Sequence, residues 1–237
     1  MRLDKYLAET AQCTRSEAKA LLAKGRVTVN GAVCKKGDTQ LKEADAVAVD
    51  GKALAYRQFV YLMLNKPEGY VSATEDRRDG CPVVIELCEE RDRARVFPCG
   101  RLDKYTVGLM LLTDDGELSH RLLSPARHVD KTYRYTSAKP LDDEAAVRLQ
   151  NGVYIEGGYL TAPCLVKRES DFTGLITIHE GKYHQIKQMF GAVGNEITAL
   201  ERISFGPLAL DPALGRGEVR YLTSVEVAAL RTAAGLE

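Results

Sequence analysis

The sequence predicts an α+β fold in two parts, a small amino-terminal domain followed by a larger one. In the first part, two amphipathic helical patterns precede an Asn30-Gly31 hairpin turn between alternating apolar residues. In the larger part, short apolar runs alternate with helical patterns. The most apolar run, Val107 to Leu112, is too short for a membrane span and too apolar for a surface loop, so it predicts a buried strand. A chain of 237 residues is long enough for one small and one medium domain.

The amino-terminal domain is predicted to span residues 1–50. Leu3, Tyr6 and Leu7 share one face of a first helix, Thr14 to Glu17 form a capping box that begins a second helix, and Gly25 ends it. Short strands are expected at Val27–Val29 and Ala46–Asp50. Residues 51–58 show no helical or strand periodicity and are predicted to be a linker to the second domain at 59–237.

Basic residues are concentrated in this first domain. The whole chain has a formal net charge of zero, which is unusual for a protein that binds nucleic acid. Residues 1–42, however, contain nine basic and four acidic residues. A cluster of this kind is either a solvated surface or a phosphate-binding face. The candidates for phosphate contacts are Arg15, Lys19, Lys24 and Arg26.

Composition excludes several other classes of protein. The six cysteines form no C-x-x-C pair, so neither a zinc site nor a disulfide framework is indicated, and no metal site is predicted. No nucleotide-binding glycine pattern is present, so no cofactor is expected. The amino terminus opens directly on an amphipathic pattern, without a signal peptide or an apolar run of membrane length. These features predict a cytoplasmic protein with reduced cysteines.

Two stretches of the second domain carry candidate catalytic residues. In the first, Asp103 lies in a polar loop between Gly100 and Gly108, immediately before the buried strand. An acidic side chain in such a loop can be held rigidly at the edge of a cleft, although a carboxylate that only caps its own backbone has the same pattern. The second stretch, Glu180 to Phe190, begins at a glycine turn and continues as a helix. Helical spacing predicts that Tyr183, Ile186 and Phe190 are buried, with Lys187 at the edge of that face.

The motif Gly-Arg-Leu-Asp-x-x-Thr-x-Gly-Leu-x-Leu-Leu-Thr-x-Asp-Gly at residues 100–116 resembles the catalytic signature of bacterial pseudouridine synthases that act on ribosomal RNA, the RsuA type. The resemblance implies that Asp103 is the essential residue. It also implies that Tyr133 of the Lys-x-Tyr motif lies against the target base, with Ile186 beneath the base and Lys187 beside the aspartate. Arg101 and His184 are further candidates for RNA contacts. The Asn-Lys-Pro sequence at residues 65–67 also occurs in similar enzymes, and we interpret it as a plain turn.

The first 50 residues resemble the small RNA-binding domain shared by a small-subunit ribosomal protein, tyrosyl-tRNA synthetase and many RNA-modifying enzymes. The Arg-Leu-Asp-Lys start and the Arg-Val-x-Val-Asn-Gly turn carry this resemblance. Together the two resemblances imply a basic RNA-binding domain joined to a catalytic domain of the pseudouridine synthase type, built on a mixed, mainly antiparallel sheet.

The activity implied is the isomerisation of one uridine of 16S ribosomal RNA to pseudouridine, without a cofactor. Asp103 would act as a nucleophile or a base, and the nearby cation of Lys187 would favour its charged form. The alternatives are a synthase acting on 23S ribosomal RNA and a non-catalytic ribosome-assembly factor that binds RNA. Large-subunit enzymes often carry long basic carboxy-terminal tails, which this sequence lacks. The expected partner is ribosomal RNA within a small-subunit assembly intermediate, bound by a monomer.

Overall fold

The computed structural model describes residues 1–10, 13–42, 45–54, 59–75, 80–127 and 129–236. The chain forms two compact units, Met1–Gln58 and Phe59–Glu237. The α+β class predicted from the sequence is confirmed.

The first unit packs two helices beside a small antiparallel sheet. The helices are α1 (Leu3–Thr10) and α2 (Arg15–Ala23), and the strands are β1 (Val27–Val29), β2 (Ala32–Val33), β3 (Val47–Val49) and β4 (Lys52–Leu54), in the order β2-β1-β3-β4. The predicted capping box is present at the start of α2: the Thr14 side chain accepts a hydrogen bond from the Glu17 backbone, and the Glu17 carboxylate accepts one from the Thr14 backbone. Leu3, Leu7 and Leu22 are among the fully buried side chains of this unit.

Two tight turns set the register of this sheet. Asn30 and Gly31 both have positive φ, of 50° and 80°, as a two-residue hairpin turn requires. Asp50 and Gly51 repeat this geometry, with φ of 51° and 76°, and return the chain into β4, which pairs with β3. The prediction of a linker at residues 51–58 is therefore wrong for residues 52–54, because Lys52–Leu54 is too short for periodicity to reveal but is a paired strand. Residues 55–58 lie outside the described part of the chain.

The second unit is built on one large mixed sheet, as predicted. Its described strands are β5 (Tyr61–Lys66), β6 (Phe97–Cys99), β7 (Val107–Thr113), β8 (Lys131–Ser137), β11 (Leu165–Arg168), β12 (Thr173–Ile178), β13 (Ile197–Phe205), β14 (Leu208–Ala209) and β15 (Val219–Tyr221). The main order is β11-β12-β8-β13-β7-β5-β15, with β14 paired to β13 and β6 to β7. Among the described pairs, β13 with β7 is parallel and the others are antiparallel.

A separate hairpin and five helices complete this unit in the described residues. The hairpin joins β9 (Tyr154–Ile155) to β10 (Tyr159–Leu160). The helices are α3 (Glu90–Arg93), α4 (Gly116–Leu123), α5 (Asp143–Asn151), α6 (Gln185–Ala192) and α7 (Ser224–Ala233), with short 3-10 turns at Val84–Leu87, Pro125–Arg127 and Glu156–Gly158.

Hydrophobic packing on both faces of the sheet explains the apolar run in β7. Leu109 and Leu111 belong to one buried cluster with Leu118, Leu122 and Leu230. Met110 and Leu112 belong to the other cluster, which lies on the opposite face because successive strand residues point to opposite sides. A strand covered on both faces has no solvent-facing side, so its sequence is continuously apolar. No helix in the described part of the chain combines the length and apolarity needed to cross a bilayer.

Candidate active site

The loop that carries Asp103 is fixed by glycines at both ends. Gly100 and Gly108 have φ of 84° and 98°, which side-chain-bearing residues rarely adopt. A Cβ atom at Gly108 would also lie 2.3 Å from the carbonyl oxygen of Arg202 on the neighbouring strand β13. Gly108 therefore permits the parallel pairing of β7 with β13 directly after the Asp103 loop.

Hydrogen bonds from residues 66–72 hold the same loop. The Ser72 hydroxyl donates to the carbonyl oxygen of Leu102 at 2.7 Å and accepts from the Leu102 backbone N–H at 3.0 Å. The Gly69 N–H donates to the carbonyl oxygen of Lys104 at 2.9 Å. Both residues flanking Asp103 are thus anchored through their backbones, which restricts where its carboxylate can point.

Lys66 is the main anchor of the loop, a role that its sequence context does not indicate. The prediction that Asn65-Lys66-Pro67 is a plain turn is wrong, because Asn65 and Lys66 belong to β5 and the Lys66 side chain is fully buried. Its Nζ lies 2.9–3.1 Å from the carbonyl oxygens of Pro67, Asp103, Lys104 and Thr106. Burial lowers the pKa of Lys66 to about 8. A turn-like sequence gives no periodic signal for such a side chain, which must be recognised from the backbone acceptors around it.

Asp103 lies against two residues of the second motif. Its Oδ2 is 3.3 Å from the Nζ of Lys187 on α6, and its Oδ1 is 3.4 Å from the Nε2 of His184. The three side chains are 27%, 33% and 36% exposed, respectively, so the carboxylate lies at a partly open edge. Asp103 and Lys187 are 84 positions apart in the sequence. The structure therefore brings the two motifs together.

The segment before α6 has an unusual backbone. His184 adopts a left-handed conformation, with φ of 47° and ψ of 31°, and α6 begins at the next residue. The Gln185 side chain braces this bend, because its Oε1 accepts from the Lys182 N–H at 3.0 Å and its Nε2 donates to Glu180 at 2.7 Å. Left-handed backbone at a residue other than glycine is uncommon and concentrates at functional sites.

An apolar floor lies next to the Asp103 loop. Tyr133, Leu102 and Ile186 are buried members of one hydrophobic cluster. Leu102 directly precedes Asp103, and Ile186 directly precedes Lys187, so each motif contributes a buried residue to this cluster. Tyr133 lies on β8 between Ile176 of β12 and Arg202 of β13, and alternation along β8 places Tyr135 on the same face.

The remaining residues of the second motif divide between core and surface. The predicted burial of Ile186 and Phe190 is confirmed, whereas the prediction for Tyr183 is wrong: it is 69% exposed. Helical spacing does not apply to Tyr183, because the helix begins only at Gln185. Arg101, on the other side of Asp103, is also exposed.

The candidate phosphate-binding residues of the first unit lie on its surface. Arg15, Lys19, Lys24 and Arg26 are exposed, and Arg15 and Lys19 are one turn apart on α2. Arg26 forms a bidentate ion pair with Asp50, in which Nε donates at 2.8 Å. The charge of Arg26 is therefore partly compensated within the unit. Among the described residues, no three histidine, cysteine or acidic side chains are grouped as metal ligands.

The second unit holds a carboxylate paired with a lysine next to this apolar floor, and the first unit carries exposed basic residues. Each of these features suits a protein that acts on RNA. Residues 60–192 match the RNA pseudouridylate synthase family and residues 1–52 match the S4 domain family. The chain belongs to the RNA pseudouridylate synthase family. The recognition of this family from the sequence is confirmed.

Curated relatives match over almost their full length. An uncharacterized RNA pseudouridine synthase of Bacillus subtilis is 47% identical over 96% of this chain and 97% of its own. Ribosomal small subunit pseudouridine synthase A is 41% identical in Vibrio cholerae, over 97% of this chain and 99% of the relative, and 39% identical in Escherichia coli, over 97% and 100%. A crystal structure of a pseudouridylate synthase matches with a TM-score of 0.69 and 36% identity, covering 97% of this chain and 99% of the other.

Proposed function

We propose that this protein isomerises a specific uridine of 16S ribosomal RNA to pseudouridine, with Asp103 as the catalytic carboxylate. The observation that carries the proposal is the contact of Asp103 with Lys187 and His184 at the end of a backbone-anchored loop. The small-subunit substrate is proposed because relatives about 40% identical over nearly the whole chain are named as small-subunit enzymes.

The reaction places three demands on the site. The bond between N1 of uracil and C1′ of ribose must break, the freed base must turn, and C5 must bond to C1′. The C5 hydrogen then leaves as a proton and N1 gains one, so no atom is lost and no cofactor is required. The target base must also leave the stack, which costs a few kcal/mol in a duplex and least in a loop.

Asp103 supplies the reactive group in this proposal. Its carboxylate either attacks the sugar carbon or removes the proton at C2′, and both routes require an ionised, fixed oxygen. The ammonium of Lys187, 3.3 Å from Oδ2, provides the compensating charge. The hydrogen bonds of Lys66 and Ser72 to the loop backbone hold the carboxylate in place before the substrate binds.

The uracil would lie over the apolar floor. Tyr133 would stack on the flipped base, and Ile186 would contact it from below, with both side chains already packed into the core. Arg101 and His184 would contact the RNA at the rim of the site. The first unit would contribute phosphate contacts from Arg15, Lys19 and Lys24, with a smaller contribution from Arg26.

The proposal includes the setting of the reaction. We infer that a monomer modifies RNA in an assembly intermediate of the small subunit, where the target strand is accessible. In bacteria, to which the curated relatives belong, this assembly occurs in the cytoplasm.

Mapping of pseudouridine in ribosomal RNA tests the proposal. RNA from cells lacking the protein is compared with RNA from cells complemented by the wild type or by Asp103→Asn. We expect one 16S uridine to lose modification in the deletion strain, to regain it with the wild type and to stay unmodified with the variant. Loss at a 23S position instead would support the large-subunit alternative, and unchanged RNA would overturn the enzymatic assignment.

A further inference from the structure

Tyr183 is an aromatic side chain held rigidly in an exposed position beside the candidate catalytic carboxylate. Its ring stacks on the imidazole of His184, with the centroids 3.8 Å apart and an angle of 22° between the planes. The residue nevertheless remains 69% exposed. Within the described part of the chain, no other ring or cation stacks on it, so one face of the tyrosine is covered and the other is available.

The backbone around Tyr183 is fixed on both sides. The Gln188 side chain donates from Nε2 to the carbonyl oxygen of Tyr183 at 2.7 Å, and the following residue, His184, has the left-handed conformation described above. On the other side, the backbone N–H of Lys182 donates to Oε1 of Gln185 at 3.0 Å, and the Nζ of Lys182 lies 4.2 Å from the ring centroid of Tyr159 on β10. An exposed ring held in this way loses little conformational entropy when it stacks on a ligand.

The stacked pair leads from the reaction centre to solvent. The Nε2 atom of His184 is 3.4 Å from Oδ1 of Asp103, and Tyr183 continues the stack outward from the imidazole. A nucleotide strand whose target uridine reaches Asp103 has its neighbouring nucleotides one backbone unit away, so one of them lies near the stacked pair. The exposed face of an aromatic ring is suited to an unpaired base, because every base has a π face.

We propose that Tyr183 and His184 form a stacking platform for an unpaired base next to the target uridine. This inference rests on the proposed function and defines its substrate as single-stranded at that neighbouring position. The platform would act without selecting base identity, since stacking is tolerant of sequence. Lys182 is exposed beside the platform and would contact the adjoining phosphate.

Binding measurements test the platform independently of catalysis. Two fluorescein-labelled probes are used: a twelve-nucleotide oligouridylate and a twelve-unit abasic ribose phosphate of equal charge. The full chain is tested as wild type, Tyr183→Phe, Tyr183→Ala and, as the matched control, Tyr154→Ala, which removes a tyrosine that is also 69% exposed but lies on β9. We expect Tyr183→Ala to weaken oligouridylate binding about 5- to 150-fold and Tyr183→Phe to bind normally. Abasic binding should be unchanged in every variant.

Two results would overturn the platform. Equal oligouridylate affinity of the wild type and Tyr183→Ala would show that no base stacks there. Equal loss with both probes would show that the substitution disturbs phosphate binding or folding rather than stacking. Neither result depends on turnover. A wild type that released no tritium from 5-tritiated 16S RNA would overturn the proposed function. The ratio of variant to wild-type affinity for oligouridylate would still show whether a base stacks on Tyr183.

Discussion

The ammonium of Lys66 donates a hydrogen bond to the backbone carbonyl oxygen of Asp103 at 3.1 Å, although the two residues are 37 positions apart in the chain. The same Nζ also donates to the carbonyl oxygens of Lys104 and Thr106, so one buried cation holds the turn that carries the candidate catalytic carboxylate. The side chain of Asp103 remains free to contact Lys187 and His184. The position of the carboxylate is therefore set through its backbone, by a residue whose side chain is buried beneath the loop.

Replacement of Lys66 by methionine should lower both stability and turnover. The variant keeps an apolar stem of similar length but leaves the carbonyl oxygens of the Asp103 loop without their donor, which typically costs about 1–3 kcal/mol for a buried group. We expect the free energy of unfolding to fall by this amount and kcat to fall more than KM rises. Urea unfolding and initial rates measure the two effects. The control is Lys139→Met, which replaces an exposed lysine that donates to one backbone carbonyl oxygen. Equal changes in stability and turnover in the two variants would contradict the anchoring role of Lys66.

The burial of Lys131 predicts that the free energy of unfolding depends on pH. It is buried, donates to the carbonyl oxygen of Val129 at 2.9 Å and shares the Phe205 ring with the buried Arg202. Burial, with a smaller effect of Arg202, lowers the pKa of Lys131 to about 8. The unfolded chain, in which lysine titrates near pH 10.4, therefore binds more protons than the folded chain between these values, and the contribution of Lys131 to stability rises with pH there.

The measurement compares the wild type with Lys131→Met by urea unfolding from pH 7 to pH 10. Because only the wild type gains stability as Lys131 loses its proton, the stability of the variant relative to the wild type should decrease steadily above about pH 8. Subtraction removes the titration of groups common to both proteins, including Cys88, whose burial raises its thiol pKa to about 11. A difference that does not change with pH would show that Lys131 titrates as it does in the unfolded chain.

Substitutions of Tyr133 separate stacking from core packing. Tyr133→Phe keeps the π face and the buried ring, so substrate binding should be nearly normal. Tyr133→Ala should lose roughly 1–3 kcal/mol of the stacking contact, in addition to a stability cost from the vacated core. RNA affinity measured well below the unfolding transition isolates the first effect. If the phenylalanine variant binds normally but turns over slowly, the hydroxyl has a chemical role; if alanine and phenylalanine both behave as the wild type, Tyr133 only fills the strand.

The proposed phosphate contacts of the first unit predict a change in the salt dependence of RNA binding. The triple variant Arg15→Gln, Lys19→Gln and Lys24→Gln removes exposed charges without altering the apolar face of α2. Each lost phosphate contact should reduce the slope of log affinity against log salt by about 0.7–0.9. Arg26→Gln should reduce it less, because Asp50 already compensates that charge. Titrations of 16S RNA at several salt concentrations measure the slope, and an unchanged slope in the triple variant would exclude α2 from the phosphate-binding surface.

Much of this fold was predictable because its signals are local. The capping box of α2, the Asn30-Gly31 turn and the two-sided burial of β7 each depend on residues close together in sequence. The contact between Asp103 and Lys187 is predicted only by the resemblance to the family, because sequence spacing alone does not show that two distant motifs lie together.

The predictions that the structure contradicts fail for physical reasons. The sequence at Lys66 indicates a turn because three of the carbonyl oxygens that accept its hydrogen bonds come from a loop more than 30 residues away. Helical spacing predicts a buried Tyr183 only if the helix continues back across His184, but that residue is left-handed and α6 begins after it, at Gln185. The paired strand β4 gives no visible alternation because it has three residues.

Lys187 should assist Asp103 without replacing it. Lys187→Met removes the cation 3.3 Å from Oδ2 and should slow isomerisation roughly 10²- to 10³-fold, the effect typical of losing one electrostatic contact at a reacting group. Combined with Asp103→Asn, it should add almost nothing, because groups that act as a unit are not additive. A full additional loss in the double variant, measured against any residual activity of Asp103→Asn, would show that the two residues act independently.

The most direct test is single-turnover release of tritium from C5 of labelled uridine in 16S ribosomal RNA by Asp103→Asn. The substitution preserves the shape of the side chain and removes its charge, so RNA affinity and the unfolding curve should match those of the wild type and serve as controls. We expect no tritium above the enzyme-free background, while the wild type releases tritium from its target uridine. Release by Asp103→Asn at the wild-type rate would contradict the assignment of Asp103 as the catalytic carboxylate.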